Sequence, residues 1–160
     1  MENETNRWLE EAERAARQAT CTRAWCGAVL VSGSEIVGRG FNSPPDNDER
    51  ERRCDRRKSS YDPKVTDKTC CVHAEQRAVM DALAHHPGKL RGSVMYMVGL
   101  LPDGRPRSQD GEIRLYCTVC TKMMRDVGVA EFVLRTPDGG SASFSAEEYL
   151  QKSYEYQAAA

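Results

Sequence analysis

Three absences bound this chain before any motif is read. It lacks charge of one sign: 23 Lys and Arg stand against 24 Asp and Glu, a formal net charge of -1. That balance removes a generic attraction to nucleic acid and leaves only local basic stripes to bind phosphate. It lacks any run of about 18 apolar residues, so no membrane-spanning helix is expected. And its N-terminus, "MENETNRWLEEAERAARQAT", is charged and helix-forming where a secretory leader would have a basic head and an apolar core, so a cytoplasmic protein is expected. There is no internal repeat either. With 39% hydrophobic and 29% charged residues, 160 positions suffice for one globular domain with a real core. That domain is expected over 1–154, with 155–160 as a disordered tail.

What the chain does have is seven cysteines. The number is odd, and without a secretion signal it argues for reduced thiols and metal ligation over a disulfide framework. Cys117 and Cys120 form a C-x-x-C, which leaves a thioredoxin-type redox pair as an alternative.

Hydrophobic periodicity sets the element order. Trp8, Leu9, Ala12, Ala15 and Ala16 share one face of a helix over about Asn6 to Gln18. Ala28 to Val31 and Glu35 to Phe41, joined by Ser32-Gly33-Ser34, read as a β-hairpin. Ser43 to Thr69 is a long polar loop with Pro44, Pro45, Pro63 and the charge cluster "DERERRCDRRK". Val72 to His86 is helical, with Ala74, Ala78, Val79, Ala82 and Leu83 as its apolar face and Pro87-Gly88 as its stop. "SVMYMVGLL" and "AEFVLRT" are buried strands. Between them come a turn-rich excursion, Pro102 to Leu115, and a helix from "CTVCTKMMRDVG" ended by Gly128. Ser145 and Glu148 form a capping box that opens a last helix to Tyr154. This order is that of a three-layer α/β/α fold.

His73, Cys117 and Cys120 supply three ligands of the types a catalytic zinc takes, leaving a fourth position for water. The two cysteines lie one turn apart at a helix start, where free N–H groups and the dipole favour thiolates. Zinc lowers the pKa of a bound water to roughly 7. Glu75, two positions past the His, is suited to move the proton of that water.

H-x-E on one helix and C-x-x-C on the next, after a hairpin ending in Phe41-Asn42, resembles the zinc-dependent cytidine and deoxycytidylate deaminase superfamily. "GAVLVSGSEIVGRGFNSPP" and "CVHAEQRAV" carry the likeness, which runs from about Cys26 to Arg135. The resemblance implies a cytidine deaminase-like fold with a mixed sheet of about five strands, a Zn2+ cofactor, and hydrolytic removal of the 4-amino group of a cytosine-type nucleoside or nucleotide, dCMP in the narrow reading. It also implies Glu75 as catalytic acid and base, Asn42 against the sugar, the backbone around Ala74 at the base edge, and a homo-oligomer. Some members carry a second, structural zinc, to which Cys54 with Cys70 or Cys71 would contribute. Inert buried thiols are the other reading, and the one expected of Cys21 and Cys26.

Two features depart from the family pattern. Tyr116 stands where proline is usual, to fill that space or to stack on a base. The spacing from His73 to Cys117 is wide, with the excess in the Pro102 to Leu115 excursion. There Arg105, Arg107 and Arg114 are candidate phosphate contacts or part of a solvated loop. Arg50, Arg52, Arg53, Arg56 and Arg57 are interleaved with acids, so a salt-bridged loop is expected, and a phosphate role is the alternative. His85 and His86 suit a helix C-terminus, and Met95, Met97, Met123 and Met124 suit the core. Two other functions remain open: a deaminase acting on cytosine or adenine in single-stranded DNA, RNA or tRNA, and a zinc-binding module without catalysis.

Overall fold

The computed structural model of the protein describes residues 1–107 and 117–155. Helix α1 spans Glu2–Ala16 and buries the expected face of Trp8, Leu9, Ala12, Ala15 and Ala16. The hairpin is β1 (Trp25–Ser32) and β2 (Glu35–Phe41). Its first strand begins three residues before the apolar run, because the antiparallel partner β3 (Val94–Leu100) extends the ladder to a Trp25–Leu100 pair. Helix α2 is Ala74–His85, α3 is Thr118–Val127, β4 is Glu131–Arg135 and α4 is Ala146–Glu155. A fifth strand, β5 (Ser141–Ser145), pairs with β4. The mixed sheet has the order β2-β1-β3-β4-β5, with β3 and β4 the parallel pair.

Alternation along the strands builds two cores on the two faces of this sheet. Val29, Val31, Val98, Leu100 and Val133 meet α1. Ala28, Leu30, Met95, Met97, Phe132 and Leu134 meet α2, α3 and α4. The result is the expected three-layer α/β/α arrangement. Met95, Met97 and Met124 are core residues, as expected, and Met123 packs against them partly buried. Phe132 and Tyr149 stack at 4.2 Å and seat α4 on β4. Ser145 and Glu148 make both capping-box hydrogen bonds, at 3.1 and 2.8 Å. Gly128 ends α3 in a left-handed conformation with φ 89°.

Several sequence expectations need correction. Leu83 is exposed: helix α2 packs through Ala74, Ala78, Val79 and Ala82, and Leu83 falls just past the edge of that narrow stripe. The stretch from Ser43 to Thr69 includes short 3-10 turns at Pro45–Asn47, Glu49–Glu51 and Lys58–Ser60. Within it Arg50, Arg52 and Arg53 pair with Asp48, Glu49 and Glu51, the salt-bridged loop expected. Residues 108–116, which include Arg114, Tyr116 and most of the Pro102 to Leu115 excursion, lie outside the described residues, as do 156–160 of the tail.

Helix α2 lies against β2 at backbone distance. A Cβ on Gly38 would sit 2.1 Å from the Ala78 carbonyl oxygen, and one on Gly40 would sit 2.1 Å from that of Ala74. Neither obstacle is a side chain that can rotate away, so only glycine fits. Gly40→Ala is therefore expected to cost about 3 kcal/mol in urea denaturation. Gly88→Ala, with open space around its Cβ, should stay within about 0.5 kcal/mol. Equal midpoints for the two variants would show that α2 can stand off the sheet.

Candidate functional site

Topology gathers the site. Strands β2 and β3 both run antiparallel to β1, so they run parallel to each other and end at the same edge of the sheet. Helix α2 follows β2 and α3 follows β3, which brings both helix N-termini to that edge, while β1 starts there. Open α/β sheets bind ligands at such strand ends.

His73 is the N-cap of α2, and Cys117 is the N-cap of α3 with Cys120 in its first turn. The His73 Nδ1 lies 3.2 Å from the Cys120 Sγ and 3.4 Å from the Cys117 Sγ. All three ligand atoms fall within 4.8 Å of one another. Ligands on a tetrahedral zinc with ordinary Zn–N and Zn–S bonds stand about 3.5 Å apart, so this donor set fits a zinc ion by chemistry and by spacing. Nε2 of His73 faces Thr69 Oγ1 at 3.1 Å and Asp67 Oδ2 at 3.7 Å, partners that orient the ring and leave Nδ1 for the cluster. Hydrogen bonding with Cys120, and next with His73, holds the Cys117 thiol down at about 4. Its backbone neighbour Cys120 N also donates to the Cys117 Sγ at 3.4 Å. The Cys117 hydrogen bond raises His73 to about 9. Imidazole and thiol thus each favour the charged form of the other, at a point where a cation would serve both donors.

Glu75 is 6% exposed, and burial raises its carboxyl above the ordinary range. Beside it the Cys26 thiol is pushed up to about 11, by burial first and then by the Glu75 charge. His73, Ala74, Glu75, Cys26, Asn42 and Cys117 line a cavity of about 350 Å³, the size of a small-molecule site. Arg23, Arg53, Lys58, Lys68 and Arg107 also line it, and Glu75 is the one carboxylate among the described lining residues.

Of the expected substrate contacts, Asn42 and Ala74 are at this cavity. The Asn42 carboxamide accepts from Cys26 N at 2.8 Å and donates to the Ala24 carbonyl at 3.0 Å. It therefore fixes the start of β1 as well as facing the cavity. Arg107 lines the cavity, while Arg105 is paired with Asp103 at 2.6 Å on the surface and does not. Two residues after Glu75, Arg77 donates to the Ser43 hydroxyl, to the Pro44 carbonyl at 2.8 Å and to Asn47 Oδ1 at 2.7 Å. That clamp ties the segment leaving β2 to the catalytic-candidate helix.

Cys54, Cys70 and Cys71 come together at the same edge, and Cys21, expected to be an inert thiol, joins them. No sequence signal marks Cys21 as a member of this cluster or Arg23, Lys58 and Lys68 as cavity cations. They lie in polar segments with no periodicity, and only the chain path brings them to the cavity.

Comparison with known proteins places this geometry in context. Over 132 residues the chain is 26% identical to the deoxycytidylate deaminase of Schizosaccharomyces pombe, a match that takes in 81% of this chain and 36% of that protein. The chain therefore spans about a third of the length of that curated relative. The dCMP deaminase of cyanophage S-TIM5, solved in complex with dCMP and dUMP, superposes with a TM-score of 0.58 at 20% identity, covering 92% of this chain and 89% of that one. A Thermotoga maritima diaminohydroxyphosphoribosylaminopyrimidine deaminase/5-amino-6-(5-phosphoribosylamino)uracil reductase gives 0.53 at 18% identity, over 95% of this chain and 35% of that one. These two superpositions are a likeness of fold. A family model described as the cytidine and deoxycytidylate deaminase zinc-binding region matches residues 2–136, and the chain belongs to that family.

Proposed function

We propose that the protein is a zinc-dependent deaminase that hydrolyses the 4-amino group of a cytosine nucleotide, with a deoxycytidine monophosphate as its substrate. The observation that carries this reading is a buried carboxylate, Glu75, set beside the His73, Cys117 and Cys120 donor cluster in a cavity that also carries five Arg and Lys side chains. A binding module without chemistry has no use for a buried carboxylate there, and burying one costs stability.

In this reading His73, Cys117 and Cys120 would hold a zinc ion, and the chemistry it would supply is to make a water acidic enough to be a nucleophile at neutral pH. Glu75 takes the proton that this water sheds. Its raised carboxyl can then release that proton to the ring nitrogen; it next takes the remaining proton of the added hydroxyl and passes it to the amino group, which leaves as ammonia as the carbonyl forms. Ala74, Cys26 and the Asn42-braced start of β1 line the cavity with Glu75, whose burial keeps bulk water from the carboxylate.

The phosphate state is read from the charge of the cavity. Five cationic side chains and one carboxylate among its lining residues favour a substrate that brings its own negative charge. The fold neighbour bound to dCMP and dUMP supports the same choice of base and phosphate.

Glu75→Gln is expected to lower kcat for dCMP deamination by about 10²–10⁴-fold while zinc content, measured by atomic emission, stays unchanged. Unaltered turnover in that variant would remove the catalytic role. Ammonia release should be faster from dCMP than from deoxycytidine or from a single-stranded cytosine oligonucleotide at equal concentration. A preference for the oligonucleotide would reassign the substrate to a polynucleotide. Lys68→Ala with Arg107→Ala is expected to raise KM for dCMP about tenfold or more, as charge-assisted contacts are lost, with little change in KM for deoxycytidine.

A further inference from the structure

Asn42 stands where the chain leaves the sheet, outside both apolar cores. Its N–H reaches the Cys26 carbonyl at 3.2 Å, directly after β2 ends. The chain then turns away through Ser43, Pro44 and Pro45 into a segment in which, from Pro45 to Cys70, only Cys54 is buried. That exit is strained. Asp46 and Asn47 stand side by side in the left-handed region, at φ 56° and 54°, which side chains with a Cβ seldom adopt. Such a turn persists only where its surroundings over-determine it.

Arg77 supplies the determining contacts. Its Nη1 donates to the Ser43 hydroxyl and to Asn47 Oδ1 at 2.7 Å. Its Nη2 donates to the Ser43 and Pro44 carbonyls at 3.3 and 2.8 Å. The four hydrogens on the two terminal nitrogens thus meet four oxygens, all between Ser43 and Asn47. The guanidinium also lies 5.9 Å from the ring centre of Phe41, so it touches the chain on both sides of Asn42. The Ser43 hydroxyl donates in turn to Asn47 Oδ1, and the Ser43 carbonyl accepts from Val72 N at 2.9 Å, next to His73. Among the described residues no carboxylate pairs with this cation, and it does not line the cavity. Its partners are neutral oxygens in a planar array, which a fork-shaped guanidinium matches and a point-like ammonium does not.

We propose that Arg77 is a positioning residue for substrate binding: from the helix that carries Glu75 it fixes the exit of β2 and, through it, the Asn42 carboxamide that receives the sugar. The inference rests on the deaminase reading. Asn42 lines the cavity, and its carboxamide uses one lone pair on Cys26 N and one hydrogen on the Ala24 carbonyl. One acceptor position on Oδ1 and one hydrogen on Nδ2 are left for a ligand. The backbone on either side aims them: the ladder to β1 before Asn42, and Ser43 in the Arg77 fork after it. Because Arg77 and Glu75 share a helix, the same contact sets the sugar end of the cavity against its reacting end. Glu75 and the donor cluster are held separately, by the helix itself and the glycines of β2. Loosening the fork therefore acts on binding more than on turnover.

The test compares KM and kcat for dCMP and deoxycytidine in the full chain loaded with zinc. Arg77→Lys keeps the charge and loses the fork. It is expected to raise KM for both substrates about fivefold, the worth of one neutral hydrogen bond, with kcat within about twofold of wild type and zinc content unchanged. Arg77→Ala should do the same or more. Asn47→Gly keeps the left-handed turn and removes one acceptor, so it should move both KM values in the same direction by less. Asn47→Asp keeps turn and acceptor and should restore them. Unmoved KM values in Arg77→Lys, with only a lower thermal midpoint, would make Arg77 a stabilising residue and overturn the proposal. A rise confined to dCMP would overturn it too, by assigning the effect to the phosphate. Should neither Arg77 variant fold, equal KM values in Asn47→Gly and Asn47→Asp would have the same force. Wild-type protein that releases ammonia from neither substrate would bring down the deaminase reading and this proposal with it, an outcome distinct from the others.

Discussion

Backbone contact between α2 and β2 is the constraint on which the rest of the site depends. With glycine at positions 38 and 40 the helix descends until the Ala74 and Ala78 carbonyls meet the strand, closer than side chains allow. That height sets where the first turn of α2 stands above the sheet edge, and so where His73 and Glu75 stand relative to α3. Helix–sheet packing at an ordinary distance would lift His73 away from the Cys117 and Cys120 sulfurs, which lie just over 3 Å from its ring nitrogen. The glycines of β2 thus act on the spacing of the donor cluster without touching it.

Burial and charge divide the cavity between two tasks. Its deep wall is made of secondary structure: the start of β1, the end of β2 and the heads of two helices, all ordered by the two cores. The environment there is dry enough to raise both Glu75 and Cys26. Its rim is made of loops, and the loops carry the cations. A charged ligand is therefore met by mobile-length side chains at the entrance and by a rigid carboxylate at the bottom. This ordering suits a nucleotide whose phosphate stays near solvent while its base is enclosed.

Much of this was legible in the residues themselves. Strong periodicity makes α1, α2 and the central strands readable, and H-x-E with C-x-x-C marks the donor cluster from residue types and spacing alone. β5 escaped notice because "SASFS" offers a single large apolar residue, and it becomes a strand only by pairing with β4. Leu83 misled because a helix that packs through alanines presents a stripe too narrow to include it. Cys21 was invisible as a cluster member for a topological reason: it lies 33 positions from Cys54, and nothing short of the chain path brings the two together. Arg23, Lys58 and Lys68 sit in segments whose polarity reads as solvation, and their approach to one cavity is a property of the fold alone.

The sparsely buried segment between Pro45 and Cys70 bears on how such a protein can change over generations. Substitutions at positions outside the core generally cost little stability, and between Pro45 and Cys70 only Cys54 is fully buried. The residues that choose what enters can vary while the core, the helix heads and the carboxylate are left as they are. The cations of the rim and the buried carboxylate stand on separate stretches of the chain, so a substitution at one can leave the other in place.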